Sequence, residues 1–147
     1  MTITGSSHES RPERGLLSRH LAELLESPEL LRPVFQPIVS LTTGTVVGYE
    51  GFSRFAIGPH RSPEPWFMEA TRAGLGGEVQ ALAIRRILGL AAQAGLPAEA
   101  FLSLNVSPRY LSHPAVGAAI AAANPARLVV ELTEEEAVQD YGALRRA

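Results

Sequence analysis

The pattern of hydrophobic and polar residues along the chain predicts a mixture of helices and strands. Residues 79–94 show the clearest helix, and Gly95 and Pro97 follow its end in the order typical of a helix terminus. Its predicted apolar face carries Val79, Ala83, Ile87, Leu90 and Ala94, with Gln80 off that face. Weaker helical patterns cover residues 16–25, 66–73, 114–123 and the segment after Thr133. Stretches rich in β-forming residues predict strands over residues 34–39, 45–52, 101–106 and 128–132.

The order of these elements predicts an α/β fold. Residues 42–44, Thr-Thr-Gly, form a connection too short to join parallel strands, so the first two strands should be an antiparallel hairpin. Pro37 within the first strand favours a position at the edge of the sheet or an irregularity in the strand. The later strands alternate with helices, which predicts parallel pairing through right-handed crossovers.

Length and composition limit the chain to one folded unit. The 147 residues are 46% hydrophobic and 19% charged, as in ordinary globular domains. Residues 1–14 lack periodicity and are predicted to be a flexible tail, which leaves residues 15–147 as the folded domain. The net charge of −2 provides no basic field for DNA, RNA or anionic lipid.

The absence of cysteine excludes disulfides, thiolate metal sites and cysteine nucleophiles. No apolar run approaches the ~20 residues that a membrane span requires. The N-terminal residues are polar where a secretory signal would be apolar. We therefore expect a cytoplasmic chain, or part of a larger protein whose membrane segments lie elsewhere.

Three oxygen-bearing side chains lie near the ends of predicted strands. Glu50, Asn105 and Glu131 occupy similar positions on three strands, where α/β folds bind their ligands. Two carboxylates and an amide are hard donors that suit Mg²⁺, Mn²⁺ or Ca²⁺. Each residue alone has a plainer interpretation, because a strand-end glutamate can pair with an arginine or lie at the rim. Three at equivalent positions favour a shared site.

Four motifs that include these residues resemble the EAL family of cyclic di-GMP phosphodiesterases. They are Gln36-Pro37-Ile38, Gly48-Tyr49-Glu50-Gly51-Phe52-Ser53-Arg54, Asn105-Val106-Ser107-Pro108 and Glu131-Leu132-Thr133-Glu134. The resemblance runs from about residue 34 to the last residue. It implies a partial (β/α)₈ barrel of the TIM type, with an antiparallel first strand and about four of the eight strands present. Residues 15–147 would then be the N-terminal half of an EAL domain, truncated at the C-terminus.

The resemblance also implies an activity, the metal-assisted hydrolysis of cyclic di-GMP to linear pGpG. Glu50, Asn105 and Glu131 match metal ligands of the family, and the metal would be Mg²⁺ or Mn²⁺. Arg54 matches an arginine that contacts a phosphate of the substrate, and Gln36 matches a glutamine that lines the nucleotide site.

A fourth acidic position, Glu134, matches a glutamate that supports a loop of the site in this family. Simpler roles remain open for three of the residues. Arg54 can be a surface charge, Gln36 a polar strand residue, and Glu134 a carboxylate favoured at the start of a helix.

The sequence departs from the family pattern in two ways. Glu50-Gly51-Phe52 stands where the family has Glu-Ala-Leu. The family's later Asp-Asp-Phe-Gly segment, lysine and general-base glutamate have no counterpart, so we expect no hydrolysis by this chain alone. The alternatives are a non-catalytic remnant that binds cyclic di-GMP or a protein partner, and an unrelated barrel enzyme. A homodimer or a fused regulatory domain is compatible with the phosphodiesterase and with the non-catalytic remnant.

Overall fold

A computed structural model describes residues 11–58, 62–97 and 99–133, with the side chains of residues 11–18 left out. The helices are α1 (Arg11–Glu26), α2 (Pro63–Arg72), α3 (Gly76–Ala94) and α4 (Pro114–Ala121), and the strands are β1 (Leu31–Val39), β2 (Val46–Phe55), β3 (Phe101–Val106) and β4 (Leu128–Leu132). Short 3₁₀ turns at Pro28–Leu30, Pro108–Tyr110 and Pro125–Arg127 each precede or follow a strand.

The four strands form one sheet in the order β1-β2-β3-β4. β1 and β2 are antiparallel, which confirms the predicted hairpin, while β2, β3 and β4 run parallel to one another. The hairpin turn is closed by hydrogen bonds from Ser40 N to Thr45 O and from Gly44 N to Ser40 O. Gly44 adopts a φ of 69°, which glycine tolerates without a steric cost.

The first strand is longer than predicted because it runs through both of its prolines. Pro33 lies opposite Ser53 and Pro37 lies opposite Tyr49. Residues four apart in a strand direct their N–H positions to the same side, so one free edge accommodates both missing donors. β1 is an edge of the described sheet, as Pro37 predicted.

The first helix also begins earlier than the sequence pattern indicated. α1 starts at Arg11, within the tail predicted for residues 1–14, and residues 1–10 lie outside the described part of the chain. Pro12 is compatible with a helix at this point because the first turn needs no backbone donor.

The helices cover one face of the sheet and leave the other open. Alternate residues on the covered face, such as Leu102, Leu104 and Val106, are buried against α3 and α4. A second apolar cluster joins α1 and α2 to the end of β2, with Trp66 stacked on Phe55. The open face carries Glu50, Ser103, Asn105 and Glu131, so the covered face holds the core and the open face holds the candidate site.

Within the described ranges, no helix is both long enough and apolar enough to cross a membrane.

Candidate functional site

The predicted metal ligands lie on the open face of neighbouring parallel strands. Asn105 and Glu131 are at the carboxyl ends of β3 and β4, whereas Glu50 is in the middle of β2, which continues beyond the predicted strand end to Phe55. Asn105 on β3 is paired directly with Glu131 on β4, and Glu50 lies on β2 at the level of Ser103. Gln36 on β1 is the cross-strand neighbour of Glu50. Paired residues project from the same face of a sheet, so this register gathers the polar side chains in adjacent rows.

Hydrogen bonds connect these rows. Asn105 donates from Nδ2 to Glu50 Oε1 at 2.7 Å, across 55 residues of sequence. Ser103 Oγ donates to Glu131 Oε1, and the Ser103 side chain is fully buried. The structure therefore brings Glu50, Asn105 and Glu131 together, although their role as metal ligands stays a prediction.

The donor set fits part of the coordination shell of a hard divalent cation. Such ions prefer carboxylate and amide oxygens, which Glu50, Glu131 and Asn105 provide. The Asn105 amide presents its nitrogen to Glu50, and a half-turn of the amide would present the oxygen instead. Among the described residues there is no group of three or more histidine, cysteine, aspartate or glutamate side chains that could hold a metal. The described half of the site therefore offers two carboxylates and one amide.

A cavity of about 310 Å³ lies beside this cluster, between the ends of β2 and β3 and the helices α2 and α3. Glu50, Glu64, Asn105 and Ser107 contribute polar groups to its lining. Most of the remaining lining is apolar, from Gly51, Phe52, Phe67, Ala83, Ile84, Ile87 and Leu104 among others. The candidate metal cluster is thus adjacent to a space bounded on one side by polar groups and on the other by the core.

The predicted phosphate contact, Arg54, is exposed on the open face near the end of β2. It donates from Nη1 to its neighbour's carbonyl, Ser53 O, at 3.2 Å and lies opposite Arg32 in the ladder. The Ser62 hydroxyl, the backbone N–H of Glu64 and the Arg54 guanidinium together lower the pKa of the Glu64 carboxyl. Arg54 therefore sits in an exposed region of mixed charge where an anion could replace the solvent.

Gln36 and Glu134 are the other two residues that the sequence predicted for the site. Gln36 is exposed beside Glu50, where it could reach a bound ligand. Glu134 lies outside the described residues.

Two residues of the site were not predicted as such. Ser103 shares its strand face with Asn105, so the strand pattern contained the signal that it would meet Glu131. Gln80 was placed off the apolar face of its helix, yet it is 6% exposed and bonds to the backbone of Asn105 and Ser107. No local sequence feature distinguishes it from an exposed glutamine such as Gln93.

A family model for the EAL domain matches residues 18–147. The chain belongs to the EAL domain family. No curated protein sequence matches the chain.

Solved EAL structures share the fold. A complex of the phosphodiesterase PaMucR with c-di-GMP is 26% identical with a TM-score of 0.65, and the match covers 87% of this chain and 56% of PaMucR. The FimX EAL domain from Pseudomonas aeruginosa bound to c-di-GMP is 25% identical with a TM-score of 0.61, covering 79% of this chain and 49% of that one.

The Bacillus subtilis YkuI protein, in complex with substrate c-di-GMP and calcium, is 22% identical with a TM-score of 0.58, covering 81% of this chain and 32% of YkuI. The chain spans about half the length of the PaMucR and FimX structures. The fold is a partial (β/α)₈ barrel of the EAL kind, and its described residues form four strands with the first one antiparallel.

Gly51, which stands where the family has alanine, packs closely against α3. A Cβ added to Gly51 would lie 2.5 Å from Ile87 Cγ2, too close for a real contact. Ile87 is 4% exposed and belongs to the core. Gly51 and Ile87 therefore form a matched pair in which the small residue makes room for the large one.

Gly51→Ala is expected to lower the free energy of unfolding by about 1–3 kcal/mol, because it overpacks this contact. Ile87→Ala alone should cost about 2–5 kcal/mol, and the double variant should be less unstable than the sum of the two. Urea unfolding of the unaltered chain, the two single variants and the double variant measures the coupling free energy between Gly51 and Ile87. Gly89→Ala is the matched control, since nothing lies within 4 Å of a Cβ at Gly89, and it should not destabilise. Additive single effects would mean that Gly51 and Ile87 are not a matched pair.

Proposed function

We propose that this chain carries the N-terminal half of a cyclic di-GMP phosphodiesterase site. Glu50, Asn105 and Glu131 would supply part of the shell of a divalent cation. One observation supports this above the others: Asn105 bonds Glu50 through its side chain and pairs with Glu131 in the ladder, on three adjacent strands. Glu50 is half-buried and Glu131 is exposed, and carboxylates placed on neighbouring strands in this way favour a cation between them.

The proposed reaction is the addition of water across one phosphodiester bond of cyclic di-GMP, which gives linear pGpG. Bound Mg²⁺ or Mn²⁺ would neutralise charge on the phosphoryl oxygens and lower the pKa of a water. Glu50 and Glu131 would hold the metal ion through their carboxylates. Arg54 would orient the substrate through its planar guanidinium, which can make two bonds to one phosphate. Gln36, opposite Glu50, would contact the nucleotide.

The proteins of similar structure are consistent with this substrate. PaMucR is described as a phosphodiesterase in complex with c-di-GMP, and YkuI as bound to c-di-GMP as its substrate together with calcium. We extend the nucleotide to this chain as part of the proposal. A cytoplasmic location, the absence of DNA and RNA partners, and a homodimer or fused regulatory domain stay predictions from the sequence.

A second candidate function is binding of cyclic di-GMP without hydrolysis. It is favoured by the donor set, since the described residues bring only two carboxylates and one amide to the cluster. Binding that is unaccompanied by turnover, in a preparation that retains Glu50, would support this candidate over the enzyme.

Arg54→Ala is expected to weaken the affinity for cyclic di-GMP by about 10- to 100-fold, because a hydrogen bond to a charged group contributes about 1.5–3 kcal/mol. Isothermal titration calorimetry with Mg²⁺ present measures this on a complete EAL domain that contains residues 1–147. Arg85→Ala, which removes an exposed arginine from α3, is the matched control and should bind as the unaltered chain does. Equal affinities for all three proteins would make Arg54 a surface charge. A chain that binds no cyclic di-GMP would contradict the proposed function itself.

A further inference from the structure

β2 and β3 separate near their carboxyl ends. Their ladder pairs residues 48–51 with residues 101–104 and stops there, although β2 continues to Phe55 and β3 to Val106. On the β2 side, the backbone of β3 beyond Leu104 therefore has no strand neighbour. Asn105 lies in this unpaired stretch, beside the cavity that opens between the two strands.

The side chain of Gln80 occupies the place of the missing strand. Its Nε2 donates to Asn105 O at 3.2 Å, and its Oε1 accepts from Ser107 N at 3.3 Å. A residue of a parallel neighbour makes this same pair of bonds, to a carbonyl and an N–H that lie two residues apart. One primary amide thus continues the hydrogen bonding of β3 past the point where β2 leaves it.

The helix that carries Gln80 is fixed against the segment after β3. A Cβ on Gly76 would lie 2.0 Å from Tyr110 Oη, and one on Gly77 would lie 2.5 Å from the His113 ring, so only glycine permits these close approaches. Tyr110 Oη also bonds to Thr71 Oγ1 at 2.8 Å, which links the segment to α2. The Gln80 amide is therefore held in one position relative to β3.

We propose that Gln80 is a positioning residue for Asn105. Gln80 fixes the backbone of Asn105 while the Asn105 side chain bonds to Glu50 at 2.7 Å. Without the Gln80 amide, the end of β3 is held by β4 alone, so it can shift relative to β2 and separate Asn105 from Glu50. The inference deepens the proposed function and rests on it where it concerns metal affinity.

The test compares Gln80→Met, which keeps length and removes both hydrogen bonds, with Gln93→Met at an exposed position of the same helix. The first readout is the side-chain ¹⁵N–¹H resonances of Asn105 without metal, assigned by their loss in Asn105→Asp. We expect them to move in Gln80→Met and not in Gln93→Met.

The second readout is Mn²⁺ affinity from the electron paramagnetic resonance of free Mn²⁺. We expect it to fall by about 10- to 100-fold in Gln80→Met, as for residues that orient metal ligands.

Unmoved Asn105 resonances and unchanged Mn²⁺ affinity in Gln80→Met, with a loss of stability alone, would overturn the proposal and leave Gln80 a structural amide. If Gln80→Met does not fold, the same readouts apply to Gln80→Glu, which retains an acceptor for Ser107 N but loses the donor to Asn105 O. An unaltered chain that binds no Mn²⁺ contradicts the proposed metal site, and the Asn105 resonances then decide alone whether Gln80 positions Asn105.

Discussion

Trp66→Ala is expected to lower the free energy of unfolding by about 3–5 kcal/mol, the range for deleting a large buried aromatic side chain. Trp66 is 1% exposed and is the largest fully buried side chain among the described residues. Its ring stacks on Phe55 with centroids 5.6 Å apart, and its edge meets His20 at 6.0 Å. The side chain thus joins α1, α2 and the end of β2, and its truncation leaves a cavity among them. Urea unfolding followed by circular dichroism measures the loss.

Two further variants separate packing from other effects at this position. Trp66→Phe should cost clearly less than Trp66→Ala, because it keeps a ring and removes an indole N–H that is buried without a partner among the described residues. Met68→Ala on the same helix removes a side chain that is 46% exposed and should change stability by no more than about 0.5 kcal/mol. Similar costs for Trp66→Ala and Met68→Ala would show that Trp66 does not anchor the core.

The strand pattern was sufficient to predict most of what positions the site. β3 and β4 have the predicted bounds, and Ser103, Asn105 and Glu131 lie on one face of the sheet, as the alternation of side chains along a strand requires. A strand has a side-chain period of two, so one buried residue determines the face of every other residue in it. The strand pattern alone was therefore sufficient to predict that Asn105 and Glu131 lie near each other.

Helical periodicity predicted only some of the residues that α3 buries. Val79, Ala83 and Ile87 are buried as expected, but Leu90 is 37% exposed and Gln80 is buried. α3 lies against the sheet on one side and against α2 and α4 on the others, so more than one stripe of its surface is covered. A period of 3.6 residues identifies a single favoured face and cannot reveal such additional contacts.

The contacts that complete the site depend on pairing between distant segments. Glu50 and Asn105 are 55 residues apart, and their hydrogen bond follows from the register between β2 and β3. The local sequence contains no information on where that ladder stops. The cavity beside Asn105 and the role of Gln80 both follow from that end point, which is why neither could be predicted.

A polypeptide limited to the 147 residues is expected to hydrolyse cyclic di-GMP at least about 10²–10⁴-fold more slowly than a complete EAL domain, the range attributed to a general acid or base. The family's general base has no counterpart in this sequence, so a water attacking the phosphate would lack a proton acceptor. Among the described residues, no three acidic, histidine or cysteine side chains lie close enough together to hold a metal ion.

The open sheet face supports the same expectation. Val34 and Val129 lie on that face and are 39% and 41% exposed, and β1 and β4 are the two edges of the described sheet. A closed barrel would cover such residues and pair both edges, whereas a polypeptide of this length is expected to self-associate or aggregate through them. Size-exclusion chromatography followed by assays with Mg²⁺ and with Mn²⁺ tests both expectations. Turnover by a monomeric fraction that disappears in Glu50→Ala would show that half of the barrel is sufficient, whereas turnover that persists in Glu50→Ala would come from a contaminating enzyme.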